Sequence, residues 1–313
     1  MHRYIYHLLT LFLYPAGISA QIAPVYAIDA HADTLKHADF PDLHELTGKL
    51  TEPAQNELEK VRAIFYWIAK NIRYDYEGLQ THAWERIPLG RTLALTTYDR
   101  GTGICGGYAM LMSTMLDHAG INNAVVTGYA KGDDDLLMTD SSLNHAWNAV
   151  QIDSVWHLLD VTWASPVFRE DDVREFFFLT PPGQLIATHF PTDEKWTLLD
   201  RKISREMFDR IPQVNSLFYE LGFGASPPVV EQTPGKLRFN LHMPEQMIIG
   251  FILYNKATSE LTDAPFHLEK GAGDSTVTVD VPQEGDYSVE MTAMWDKYPY
   301  RKYFGVVVVE VGR

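Results

Sequence analysis

Apolar positions recur at helical spacing early in the chain, at Leu58, Val61, Ile64, Phe65, Ile68 and Ile72, with Trp67 adding bulk. The spacing predicts a long amphipathic helix packed on a core. Thr51-Glu52-Pro53 supplies its opening, a capping hydroxyl before a proline suited to a first turn, and the helix ends near Asn71–Asp75. Residues 76–104 read as irregular, broken by Pro88-Leu89-Gly90. A second apolar run, Tyr108, Ala109, Met110, Leu111, Met112, Met115 and Leu116, predicts a helix that starts at or just after Cys105. It stops at the C-cap signal Ala119-Gly120.

The period then changes to that of strands. Ala124–Ala130 reads as one strand, and His145–Ile152 and Val155–Trp163 as two more, joined by the two-residue loop Asp153-Ser154. Residues 164–228 carry aromatic and proline-containing segments and read as a wrap that doubles as a connector, closing at Gly222–Pro228. Beyond residue 229, strands at Leu237–Met243, Met247–Tyr254, Ser275–Val281, Tyr287–Met294 and Tyr303–Val311 predict a small β-sandwich. The expected organisation is a segment 1–20, a leader 21–50, an α+β domain 51–228 and an Ig-like β-sandwich domain 229–313.

Composition narrows the class. With 313 residues, 46% hydrophobic and 21% charged, the chain can bury a sizeable core. A net charge of −15 argues against nucleic acid and anionic membranes as default partners. Residues 1–20 have a basic start, an apolar run from Tyr4 to Tyr14 and small residues up to Ala20. That is the pattern of a secretory signal, so an exported, periplasmic or extracellular protein is expected, with no stable membrane insertion once the signal is cleaved. His31, Asp33, His37, Asp39, Asp42 and His44 fit no metal-site spacing and read as a solvated leader; Asp133-Asp134-Asp135 reads as a solvated loop.

Export gives weight to Cys105, the single cysteine. Exported proteins use cysteines in disulfide pairs, so a lone one points to a reactive thiol or an intermolecular link. Its place in Gly101-Thr102-Gly103-Ile104-Cys105-Gly106-Gly107-Tyr108 puts it at a helix start, where unpaired N–H groups and the helix dipole favour thiolate over thiol. The hairpin adds partners. If Ile152 faces Val155, then Trp147 faces Asp160, and His145 and Asp160 become diagonal neighbours on one face. Cys105 as nucleophile, His145 as base and Asp160 as the group orienting His145 form the set that acyl transfer needs. The Cys105 backbone N–H is a ready oxyanion donor. A structural zinc site is a poor fit, because one cysteine cannot supply the usual thiolates.

Three segments, Gly103–Ala109, Asn144–Asn148 and Leu159–Trp163, resemble the motifs of the transglutaminase-like superfamily, and more narrowly of bacterial relatives of kyphoscoliosis peptidase. Val61–Ile68, Phe178–Pro182, Thr188–Pro191 and Lys195-Trp196 resemble that group too, over about residues 50–200. The resemblance implies a papain-like α+β core, in which a helix carrying the cysteine packs on an antiparallel sheet. It gives Cys105, His145 and Asp160 the roles of nucleophile, base and orienting acid. Gly106, Tyr108, Trp147 and Trp163 are candidates for oxyanion or substrate positioning. No glutamine stands where a papain-type enzyme places its side-chain oxyanion donor. The implied activity is attack on amide bonds of peptides or proteins, with cell-envelope peptides as one class, without cofactor or metal. Hydrolysis, by a peptidase or amidase, is favoured over cross-linking by a lysine amine. The competing reading is an inactive binding or scaffold member.

Overall fold

The computed structural model describes residues 27–131, 145–166, 172–245, 247–271, 274–295 and 304–311. The predicted signal segment 1–20 and the triplet Asp133–Asp135 lie outside the described residues. Residues 27–32 form a short helix, α1, and Leu43–Thr51 a second, α2, capped by Asp42 through the His44 N–H. Ile28, Ala32, Leu43, Leu46 and Leu50 are buried in the main core. The segment expected to be a solvated leader is therefore packed from Ile28 onward. Its His/Asp-rich stretch obscures the spacing of Leu43, Leu46 and Leu50, which puts them on one helical face.

The long helix α3 runs Glu57–Asn71, later than its predicted start. Thr51 closes α2 instead of capping α3. Asn56 is the cap: its side chain accepts from the Glu59 N–H, while Glu59 reaches back to the Gln55 N–H. Tyr74 lies in a two-residue strand β1 (Arg73–Tyr74), and α4 (Tyr76–Gln80) follows. The region expected to be irregular also contains α5 (Arg91–Arg100), a ten-residue helix. Three threonines, poor helix formers, hide it in the sequence. Its buried residues, Leu93, Ala94, Thr97 and Tyr98, still define one face.

Strand β2 (Thr102–Gly103) pairs parallel to β1 and leads into α6 (Cys105–His118). The helix packs on an antiparallel sheet of order β5-β4-β3-β6, made of β3 (Asn123–Ala130), β4 (His145–Ile152), β5 (Val155–Leu159) and β6 (His189–Pro191). The hairpin has the predicted register, Ile152 opposite Val155. Asp153 and Ser154 both adopt positive φ, 48° and 67°, as a type I′ turn requires. Strand β5 stops at Leu159, short of the expected Trp163, because the Asp160 carboxylate accepts from the Thr162 and Trp163 N–H groups and draws the chain into a turn.

The connector contributes α7 (Pro182–Leu185), α8 (Arg205–Arg210), β7 (Gln213–Val214) and α9 (Ser216–Glu220). Then come β8 (Val229–Thr233), β9 (Lys236–His242), β10 (Met247–Asn255), β11 (Glu260–Asp263), β12 (Phe266–Glu269), β13 (Asp274–Asp280), β14 (Tyr287–Trp295) and β15 (Phe304–Val311). They form two sheets, β11-β10-β14-β15-β7 and β12-β13-β9-β8. The edge strands β8, β11 and β12 escape sequence detection because they are short and bury little. Ala187, Val214, Phe218 and Phe223 pack with the sandwich, so its core reaches back into the connector, ahead of residue 229.

Candidate active site

The Cys105 loop is shaped by close packing. Gly101 ends α5 at φ 62°. A Cβ on Gly107 would lie 2.4 Å from Thr97 Oγ1, so only glycine lets α5 sit against the first turn of α6. Ile104 caps α6 without a side-chain hydrogen bond, and its carbonyl accepts from the Gly107 and Tyr108 N–H groups. The amides of Cys105 and Gly106 precede these at the start of the helix. Cys105 itself is half-buried.

The sheet brings up the rest. Asn148 donates from Nδ2 to the Ala109 carbonyl at 3.0 Å and pins β4 to α6. His145 opens β4, and its Nε2 lies 2.7 Å from Asp160 Oδ2. The His145 ring also hydrogen-bonds Cys105, so the imidazole stands between thiol and carboxylate. Asp160 is fully buried, and its Oδ1 accepts the Thr162 and Trp163 N–H groups at 2.9 and 3.1 Å. Burial disfavours a charged imidazole here. The Asp160 charge and hydrogen bond, helped by Cys105, outweigh it and push His145 up to about 10. Burial likewise works against the Asp160 carboxylate, yet His145 and then His189 hold it well below the ordinary carboxylate range.

His189, quoted above only as part of a resembling segment, is the residue that sequence reasoning missed. It opens β6, and its Nε2 lies 3.0 Å from the same Asp160 Oδ2. The available signal is a histidine at the head of a short apolar segment, Ala187-Thr188-His189-Phe190. Tyr74 is a second. The β1–β2 pair sets it opposite Gly103, two residues before Cys105. Burial first, then the nearby Cys105, raises its phenol above the ordinary range, so it stays a neutral O–H.

The four positioning candidates divide. Gly106 is half-buried at the helix start next to Cys105. Tyr108 is fully buried and donates to the Ile72 carbonyl at 2.6 Å, so it anchors α6 and does not face a substrate. Trp147 and Trp163 are also buried and wall the histidines. Trp147 stacks on His145 at 6.0 Å, and Trp163 lies 5.2 Å from His145 and 4.5 Å from His189. These three support the site from behind. The ligand atoms of His145, Asp160 and His189 lie within 4.8 Å of one another. Separations of 2.7 and 3.0 Å are those of hydrogen bonds, with a proton on each line.

A lone cysteine at a helix start, with a histidine and a carboxylate from the adjoining sheet, is the layout of papain-like thiol chemistry. Residues 44–161 match the transglutaminase-like superfamily, and the chain carries a domain of that superfamily. Kyphoscoliosis peptidase of Mus musculus is 33% identical over 227 residues, covering 68% of this chain and 33% of that protein. Hillarin of Drosophila melanogaster is 24% identical over 245 residues, 70% of this chain and 29% of that one. The chain thus spans about a third of the length of these curated relatives. Among solved structures, one described as a TGase is 19% identical with a TM-score of 0.29, covering 50% of this chain and 35% of that chain.

Proposed function

We propose that the protein is a thiol-dependent enzyme that cleaves amide bonds of peptides or proteins through an acyl-enzyme on Cys105. The observation that carries this reading is the single imidazole, His145, bonded on one side to Cys105 and on the other to a buried Asp160. In the proposed cycle the Cys105 proton moves to His145, and the thiolate attacks the substrate carbonyl. The tetrahedral oxyanion forms beside the amides at the start of α6. Collapse breaks the C–N bond, and the imidazolium protonates the leaving amine. Water, deprotonated by His145, then releases the acid and regenerates the thiol. Asp160 holds the ring in one tautomer throughout.

Hydrolysis is favoured as the second half-reaction because water is always at hand; a lysine amine in its place would make the enzyme a cross-linking transferase with the same triad. Exported peptides or proteins, including those of the cell envelope, are the proposed substrates, on the strength of the signal-like residues 1–20. Among the described residues, no helix is long and apolar enough to cross a membrane.

The test uses protein recovered from the exported fraction, with its N-terminus read by mass near Gln21. Labelled casein reports hydrolysis, and incorporation of dansylcadaverine reports transfer. Cys105→Ala and His145→Ala are each expected to lose turnover by at least about 10³-fold, Cys105→Ala melting like wild type and His145→Ala folded but melting lower, because it leaves Asp160 without its first partner. Wild-type alkylation by iodoacetamide is expected to be fast already at acidic pH and to slow sharply in His145→Ala. Turnover retained in either variant, or wild-type alkylation that merely follows an ordinary thiol titration, would sink the reading.

A further inference from the structure

The Asp160 carboxylate does more than hold one histidine. Its Oδ1 takes two backbone N–H groups, and its Oδ2 takes two imidazoles, His145 at 2.7 Å and His189 at 3.0 Å. An ionised carboxylate only accepts, so Nε2 of each ring carries the proton on these lines. The other His189 nitrogen, Nδ1, lies 2.8 Å from Thr188 Oγ1, which fixes the ring from behind. His189 is fully buried, with ring centroids 5.0 Å from Trp147 and 4.5 Å from Trp163. An apolar side chain would suit such walls equally well, whereas the imidazole satisfies an oxygen that His145 already uses.

We propose that His189 is a positioning residue for the reaction: by donating to the Asp160 oxygen that His145 uses, it sets how firmly His145 holds its proton. The inference rests on the thiol-enzyme reading above. Its physical content is a division of charge. With two donors on Oδ2, the carboxylate presents less negative charge to His145 than with one. His145 must be basic enough to take the Cys105 proton and acidic enough to give it to the leaving amine. Without His189, the full pull of Oδ2 falls on His145, and the imidazolium becomes a poorer acid.

The arrangement also explains how a third strand reaches the site. His189 arrives on β6, which pairs with β3 at Ala130, while Gly128 pairs with both His145 and Pro191. A Cβ on Gly128 would lie 2.2 Å from the Phe190 carbonyl oxygen and 2.5 Å from the Trp147 ring. That close approach draws β6 in far enough for His189 to meet Asp160. The ionisable groups acting on one another here include Asp160, His145, His189, Cys105 and Tyr74, with Tyr76 and Tyr108 acting on Tyr74.

The experiment is an ¹⁵N-imidazole NMR titration of His145 in the full chain, for wild type, His189→Leu and His189→Gln. Iodoacetamide profiles are recorded on the same samples. The His145 midpoint is expected to rise by about one pH unit in His189→Leu. It should return toward wild type in His189→Gln, whose amide restores a donor. Casein turnover in His189→Leu should fall about tenfold in kcat with KM little changed, while alkylation at acidic pH stays fast. A folded His189→Leu whose His145 titration and kcat match wild type would overturn the inference and leave the thiol-enzyme reading standing. A wild type without fast acidic alkylation would instead remove that reading. Should His189→Leu fail to fold, the wild-type spectrum decides. His189 Nε2 is expected to be protonated and to shift as His145 titrates; an unprotonated or unresponsive Nε2 overturns the inference.

Discussion

At the scale of single residues, the buried His145–Asp160 pair sets how the site responds to pH. His145 titrates ordinarily at 6.5 and is raised to about 10 in the fold. Between these values the folded chain binds more protons than the unfolded one, so this group's contribution to stability is full below 6.5 and is lost as pH rises toward about 10. Asp160 is depressed from an ordinary 3.8, so its contribution is present above 3.8 and is lost as pH falls below it. Both act together only from about 4 to 6.5. Thermal unfolding of wild type is therefore expected to be most resistant in that window, and Asp160→Asn should flatten the profile at both ends. A wild-type midpoint still climbing from pH 7 to 10 would contradict the pairing. Half of this was legible in advance. The hairpin loop length put His145 and Asp160 on one face, because side chains alternate with period two. His189 was not legible as their partner. It lies 29 residues from Asp160 and reaches it only through the pairing of β6 on β3, which no local pattern encodes.

Among the elements, helices with a strong apolar period and strands with a tight turn could be read directly: α6, β3, β4 and the five longer strands of the sandwich. Most of what escaped has a common cause. Helix α5 and the edge strands β8, β11 and β12 owe their form to what they pack against or pair with, and little to their own composition, while α2 has its own cap and apolar face but is masked by its His/Asp-rich surroundings. Helix α5 shows it best. Thr97 fits the space left by Gly103 and Gly107, so a Thr-rich segment poor in helix formers becomes the wall of the Cys105 loop. Gly107→Ala should then destabilise the protein by roughly 1–3 kcal/mol through overpacking. Adding Thr97→Ala removes the hydroxyl and methyl that would clash, and should recover most of that loss. Denaturant unfolding of the two single variants and the double variant measures the coupling. Simple additivity would mean that α5 and α6 do not meet as described.

Across the described residues, two large apolar cores and a small third cluster, Ile186, Phe190, Ile203 and Phe208, are tied by a few long-range contacts. Arg62 is buried in α3 and bonds Asp29 in α1 at 2.7 and 2.6 Å and Glu175 at 2.6 Å, binding the N-terminal helix and the 172–178 segment to the core. The Phe177 carbonyl of that segment accepts the Asp160 N–H, so the tie ends beside the site. Lys131 caps the end of α8 through the Phe208 and Ile211 carbonyls. Arg174 donates to Ser216 Oγ at 3.0 Å, and Val214 is buried in the sandwich core. Val214→Asp puts a carboxylate into that core at a cost of several kcal/mol. Calorimetry is expected to show a single transition in wild type and two in this variant, the lower one belonging to the sandwich. One unaltered transition would mean that the two cores do not communicate through β7.

Strand β7 has a further consequence, in the order of events during synthesis. Val214 and Gln213 pair with Val307 and Val308, so the connector waits on residues made much later for its place in the sheet. All residues of the Cys105 site are made well before that partner. A chain emerging from synthesis can therefore bring its thiol, imidazole and carboxylate together before β7 has a strand to pair with, and the β7–β15 contact is among the last of the described pairings to form.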